Sequence, residues 1–170
     1  MEKWDLYDER RKLLKKIHIR GDKFNEGEFH IVVETWTINS KNEILLTLRD
    51  PSKEDYPNYW ENTAGSVLAG EASKQGAKRE LIEETGININ EEELLLLNTY
   101  KGSEAFVDQY MIRKDIKINE LVLQKGETVD AKWVSLSEFD KMIEKGEIAL
   151  SVVERLIPMR KAFEKFIYKN

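Results

Sequence analysis

The sequence predicts an α/β fold in one domain spanning residues 1–170. Three observations carry that expectation. Short β-branched or alternating segments recur as far as residue 134, a helix-compatible run sits among them at 72–85, and an apolar stripe at helical spacing begins at 152. No Pro- or Ser-rich linker, internal repeat or low-complexity tract divides the chain. At 170 residues it is long enough to bury one sizeable core.

Residues 4–7 and 13–19 read as two short strands around the polar turn Asp8-Glu9-Arg10, within an N-terminal extension over 1–28. Residues 30–38 are β-branched and partly alternating, as in a central strand. Asn39, Ser40, Lys41 and Asn42 form a turn, and 43–49 is the expected hairpin partner. A polar loop with Pro51 and Pro57 covers 50–58. The helix at 72–85 turns Ala77 and Leu81, four residues apart, toward the core, and Gly86 is placed to cap its end in the left-handed conformation. Residues 94–101 and 105–112 read as strands around Gly102-Ser103, and 131–134 as a short strand. Ser137 is placed to cap a helix over 138–144, with Gly146 beyond it. The last helix runs from about 152 to 168. Its stripe of Val152, Leu156, Met159, Phe163 and Phe166 suits core or a dimer contact better than a binding site. Pro158 kinks or splits it.

Chemistry concentrates on the first helix. Glu80, Glu83 and Glu84 share one face at spacings of three and four. Three carboxylates so placed repel one another unless a cation lies among them, and hard oxygen donors suit Mg2+ or Mn2+ rather than zinc. Arg79, four residues before Glu83, is spaced to pair with it. Gly65 allows close backbone approach ahead of the helix. Taken alone, such a glutamate cluster is more often a solvated helix face paired with lysines.

The longer pattern outweighs that bland reading. Residues 65–87 run G-S-V-L-A-G-E-A-S-K-Q-G-A-K-R-E-L-I-E-E-T-G-I. This resembles the Nudix box, G-x5-E-x7-R-E-U-x-E-E-x-G-U with U apolar, and every fixed position is filled. The resemblance implies an α/β/α sandwich around a mixed, curved sheet. It implies a hydrolase that cleaves the diphosphate of a nucleoside diphosphate joined to another moiety, using Mg2+ or Mn2+ and a water that attacks phosphorus. By position, Glu80, Glu83, Glu84 and the Gly65 carbonyl are the expected metal ligands, and Glu71, Arg79 and Gly86 the bracing residues. Either Glu83 or Glu127 is the expected general base.

Phe29-His30, residues 36–49, the run S-K-x-x-x-P-x-x-W at 52–60 and residues 130–133 are similar to the Nudix branch that includes type I isopentenyl diphosphate isomerases and hydrolase relatives. That likeness covers about two-thirds of the chain. Those isomerases carry a cysteine just before the box and a metal-binding histidine just after its first glycine; here these are Ala64 and Ser66. Alanine neither donates nor abstracts a proton, so isomerase activity is not expected. The same likeness places Glu127 as an acidic metal ligand or acid/base, and Arg49 and Lys53 toward substrate phosphates. His30 matches an isomerase ligand position, but a lone histidine at a strand start reads as structural, and His18 has no counterpart. Trp60 reads as packing beneath the metal loop. Asn58, where the branch has glycine, tolerates a left-handed turn. Tyr56 and Tyr59 offer rings for a base, although loop tyrosines are usually surface.

Composition narrows the alternatives. The net charge of -5 with interspersed signs argues against a nucleic-acid groove. With no cysteine, disulfides, thiolate sites and cysteine nucleophiles are excluded. The first residues, Met1-Glu2-Lys3-Trp4-Asp5, are no signal peptide, and no apolar run is long enough to span a membrane, so a cytoplasmic protein with a small-molecule substrate is expected. By analogy with related proteins, the N-terminal strands and last helix are where a homodimer would form. A non-catalytic nucleotide sensor is the other reading, but such proteins usually lose a metal carboxylate and all three are present here.

Overall fold

The computed structural model describes residues 1–168. Strands β1 (Lys3–Tyr7) and β2 (Leu13–Ile19) form a separate antiparallel hairpin. The main sheet contains β3 (His30–Ile38), β4 (Ile44–Arg49), β5 (Trp60–Glu61), β6 (Thr63–Ser66), β7 (Leu95–Lys101), β8 (Ala105–Arg113) and β9 (Thr128–Val134). Its order is β5-β4-β3-β8-β7, with β6 also on β3 and β9 on β4. β3 is central, as expected, and pairs with β8 in parallel along its length, from His30↔Ala105 to Ile38↔Arg113. The other pairings are antiparallel, so the sheet is mixed.

The expected hairpin of β3 with β4 is only partly formed. The Asn39 side-chain oxygen accepts the Lys41 and Glu43 amides, both at 2.9 Å, and closes the turn. The strands then pair at Ile38↔Ile44 alone and diverge. β6 occupies the freed edge of β3, from Val32↔Ser66 to Thr35↔Thr63, while β9 and β5 pair with β4. Each backbone edge still finds partners, which is what makes the split tolerable. β5 and β6 went unexpected from the sequence because they are too short to show a period of two. β9 begins at Thr128, three residues earlier than expected.

Helix α1 (Ser73–Thr85) packs on one face of the sheet. α2 (Leu136–Glu144), α3 (Leu150–Leu156) and α4 (Arg160–Ile167) pack on the other. This is the α/β/α sandwich. Alternation along β3 serves both layers: Ile31 and Val33 meet Ala77 and Leu81 of α1, while Trp36 and Ile38 meet Phe139 and Phe163. Pro158 does split the last helix, at a 3-10 turn over Ile157–Met159. Val152, Leu156, Met159 and Phe163 of the stripe are buried core, and Phe166 packs against it. The α2 cap is Ser135, not Ser137: its hydroxyl accepts the Glu138 amide at 3.2 Å. A cap must precede the first helical residue, and the helix begins at Leu136, two residues earlier than expected.

The N-terminal hairpin lies against the main body. Tyr7 bridges Phe29, the Ala69 amide donates to the Lys3 carbonyl at 2.8 Å, and Asp5 accepts the Gly70 amide at 2.7 Å. His30 and His18 are buried among aromatic rings: His30 stacks on Trp4 at 4.4 Å and His18 on Phe24 at 3.9 Å. Among the described residues no helix is long and apolar enough to cross a membrane.

Candidate active site

β6 and α1 build the site between them. A Cβ at Gly65 would stand 2.0 Å from the carboxyl carbon of Glu80, so this strand position has room for hydrogen alone. At the far end of α1, Gly86 adopts φ +74° and donates to the Ile82 carbonyl at 2.8 Å. The Val122 and Gln124 amides donate to the Thr85 and Glu84 carbonyls at 3.0 and 3.3 Å. Those bonds tie the segment leading to Glu127 onto the helix that carries the glutamates.

Arg79 is the hub. It donates to Glu71 at 2.8 and 3.1 Å, to Glu80 at 2.7 Å, to Glu83 at 3.2 Å and to the Ser66 carbonyl at 2.8 Å. Glu71 in turn accepts the Leu68 amide at 2.9 Å. Burial opposes the Arg79 charge, but the bonds from Glu71 and Glu80 outweigh it and hold its pKa above the ordinary arginine value.

A cleft of about 260 Å³ gathers Arg49, Lys53, Gly65, Arg79, Glu80, Glu83, Glu84 and Glu127. Glu71 and Gly86 stand outside it, one on the loop before α1 and one at its end. Burial, against the pull of Arg79, raises the Glu80 carboxyl above the usual carboxylate range. Glu84 is raised well above it, by burial first and then by Glu61, Glu80 and Glu127, with the Ala64 backbone working the other way. A site that so disfavours its own negative charge is suited to a cation. Its donors are carboxylates, beside a glycine whose missing side chain leaves room for Glu80. That set fits Mg2+ or Mn2+. Among the described residues, no three acidic, histidine or cysteine side chains are gathered closely enough to hold a metal ion as they stand. Glu80 and Glu83 are turned to Arg79 instead.

Three residues of the site had no signal at their own positions in the sequence. Glu61 on β5 accepts from Arg49 at 2.7 and 2.9 Å, and its charge bears on Glu84. Burial lifts the Glu61 carboxyl despite Arg49. Trp4 and Arg20 of the N-terminal hairpin form a wall of the cleft. Lys53 is bonded to Glu127, which makes the two outlying candidates a pair. Ala64 and Ser66 line the same cleft, so the positions where the isomerases carry cysteine and histidine do face it. Trp60 packs against the C-terminal helix layer, with the Lys132 ammonium over its ring at 4.4 Å. Tyr56 and Tyr59 meet edge to face at 5.7 Å, and Asn58 takes the left-handed turn at φ +63°.

The NUDIX domain family model matches residues 28–156. An uncharacterised Nudix hydrolase of Listeria monocytogenes is 42% identical over 148 residues, covering 86% of this chain and 88% of its own. A crystal structure of a Deinococcus radiodurans protein superposes with a TM-score of 0.73 at 24% identity, over 87% of this chain and 92% of that one. A bifunctional NMN adenylyltransferase/ADP ribose pyrophosphatase of Francisella tularensis, solved with AMP and manganese, superposes with a TM-score of 0.64 at 18% identity. That likeness covers 84% of this chain and 43% of the Francisella chain.

Proposed function

The chain belongs to the Nudix family, and from that premise we propose a divalent-metal-dependent hydrolase that cleaves the diphosphate of a nucleoside diphosphate joined to another moiety. The observation that carries this reading is the approach of Glu80 to Gly65, with Glu83 and Glu84 lining the same cleft. Glu80, Glu83, Glu84 and the Gly65 carbonyl would hold Mg2+ or Mn2+. When bound, the ion supplies charge neutralisation at the phosphates and acidity to the attacking water.

The chain's own residues do the rest. Arg79 positions Glu80 and Glu83, and with a cation bound it would still hold Glu71 and the Ser66 carbonyl. Arg49 and Lys53 present cationic donors to the substrate phosphates. Glu83 or Glu127 accepts the proton of the attacking water. Ala64 offers no proton-transfer group, which sets isomerisation aside. The ADP-ribose pyrophosphatase named for the Francisella protein makes ADP-ribose an early member of any substrate panel.

The test incubates nucleoside triphosphates and diphosphates, ADP-ribose, nucleotide sugars, dinucleotides and prenyl diphosphates with Mg2+ or Mn2+, alongside Glu83→Gln, and separates by chromatography the two phosphorylated products that cleavage of the diphosphate leaves. Turnover of one class, reduced about 100-fold or more by the substitution, is expected, since a lost metal ligand misplaces the reacting groups. Turnover indifferent to Glu83, or none by the folded protein across the panel, overturns the reading.

A further inference from the structure

Four cationic side chains line the cleft, and they differ in how firmly their own carboxylates hold them. Arg79 is bonded to three glutamates. Arg49 makes two bonds to Glu61, with the two side chains only 17% and 16% exposed. Lys53 is held by Glu127 and is 19% exposed. Taking Arg49 or Lys53 from its partner leaves a partly buried carboxylate without its cation, which is costly. Arg20 is different. Among the described residues its one ion pair, to Glu2 at 2.9 Å, has side chains 57% and 43% exposed. An ion pair that open to water contributes little, so Arg20 exchanges its partner at least cost.

Arg20 also lines two adjoining cavities. A cleft of about 260 Å³ has room for a diphosphate and lies just below the roughly 300–1,000 Å³ of sites for complete ligands. A second cavity of about 400 Å³ adjoins it and shares Arg20, Arg49, Lys53 and Glu127. It adds Ser52, Glu54 and Asp55 and has no aromatic lining, which suits a hydrophilic group rather than a stacked base. Arg20 is thus at the junction of the two spaces, with a planar fork suited to phosphate or carboxylate. Glu2 accepts from one nitrogen of that fork at 2.9 Å and also from Trp4 Nε1 at 3.3 Å.

Resting on the hydrolase reading above, we infer that Arg20 is a specificity residue: it gives up Glu2 for an anionic group of the substrate beyond the diphosphate that is cleaved. The substrate is then a nucleoside diphosphate derivative with one further phosphate or carboxylate, either at the end of a polyphosphate chain or on the attached moiety.

The experiment uses the full chain, wild type and the variants Arg20→Met, Arg20→Lys and Glu2→Gln. KM and kcat are measured for ATP against ADP, and for UDP-glucuronate against UDP-glucose. Dissociation constants for α,β-methylene-ATP and α,β-methylene-ADP are measured with Mg2+, so that binding is also read without turnover. The wild type is expected to prefer the more anionic member of one pair, and the pair in which it does so identifies the source of the anion. Arg20→Met raises that member's KM or dissociation constant about tenfold, equivalent to about 1.4 kcal/mol, with kcat within about twofold. Arg20→Lys recovers part of the loss, and Glu2→Gln tightens binding by removing the competitor. No preference in either pair, or a preference that survives Arg20→Met, overturns the inference. Panel turnover that depends on Glu83 while ignoring Arg20 sinks this inference alone; a protein that neither binds nor turns over any member of the panel loses both.

Discussion

Gly65→Ala separates the site's chemistry from its stability. Gly65 has no positive φ, so alanine is acceptable to the backbone and the whole cost is steric. The new Cβ would lie 2.0 Å from the Glu80 carboxyl carbon and 2.2 and 2.4 Å from its oxygens, where ordinary contact is 3.4–4 Å. The carboxylate must therefore retreat by roughly 1.5 Å to restore van der Waals separation. It terminates a flexible side chain, so the fold yields there at small cost, and alanine in a strand is favoured over glycine by roughly 0.5–1 kcal/mol. Those effects nearly cancel, and at roughly 2–4 °C per kcal/mol Tm should stay within about 4 °C of wild type. Activity has no such compensation, because Mg2+ demands near-ideal octahedral geometry at about 2.0–2.1 Å. A displacement of about 1 Å costs on the order of 100-fold in rate, so kcat/KM should fall about 100-fold or more. Steady-state kinetics, calorimetric Mn2+ titration and a thermal melt on one preparation give the three readouts. A folded Gly65→Ala protein with kcat/KM within about threefold of wild type and undiminished Mn2+ affinity would refute the reasoning.

Three further outcomes follow from the packing and the polar networks. Asp108 is 1% exposed and bonded to Arg11, Ser73 and Thr99; burial pushes its carboxyl up, but those bonds win and hold it below 3.8, so its stabilisation is present above pH 3.8 and is lost as pH falls through its lower folded value. Arg11→Met leaves the buried carboxylate without its cation, and denaturant melts should show a loss of about 2 kcal/mol near pH 7 that narrows as pH falls and the carboxyl takes up its proton; a pH-independent difference counts against the pairing. Phe163→Ala opens a void beside Trp36, 4.8 Å away between ring centroids, and should cost about 3–5 kcal/mol in urea melts, with a loss under about 1 kcal/mol ruling out the packing described. Ser135→Ala should cost about 1 kcal/mol and Ser137→Ala close to nothing, and the opposite ranking would return the α2 cap to Ser137.

Where contacts are local, residue spacing anticipated them well. The acidic and apolar faces of α1, its Gly86 cap, the left-handed Asn58 and the break at Pro158 all depend on residues within about one helical turn or on one residue's backbone freedom. The misplaced cap of α2 shows the limit of that reasoning, since two serines compete and packing of Leu136 sets where the helix begins. The partial hairpin shows it more clearly. The Asn39 turn specifies one pairing between β3 and β4, but the strands' later partners lie tens of residues away.

By itself, the sequence determined which side chains α1 offers and why Gly65 precedes them, because helical periodicity and a missing Cβ act over a few ångströms and a few residues. Only the tertiary structure decided how the remaining charges are shared. Arg49 meets Glu61 across 12 residues, Lys53 meets Glu127 across 74, and Arg20 enters the cleft from a separate hairpin. No local period encodes those meetings. They follow from the divergence of β3 and β4, which admits β6 to one strand and β5 and β9 to the other, and so brings Gly65 and the distant loops to one cleft.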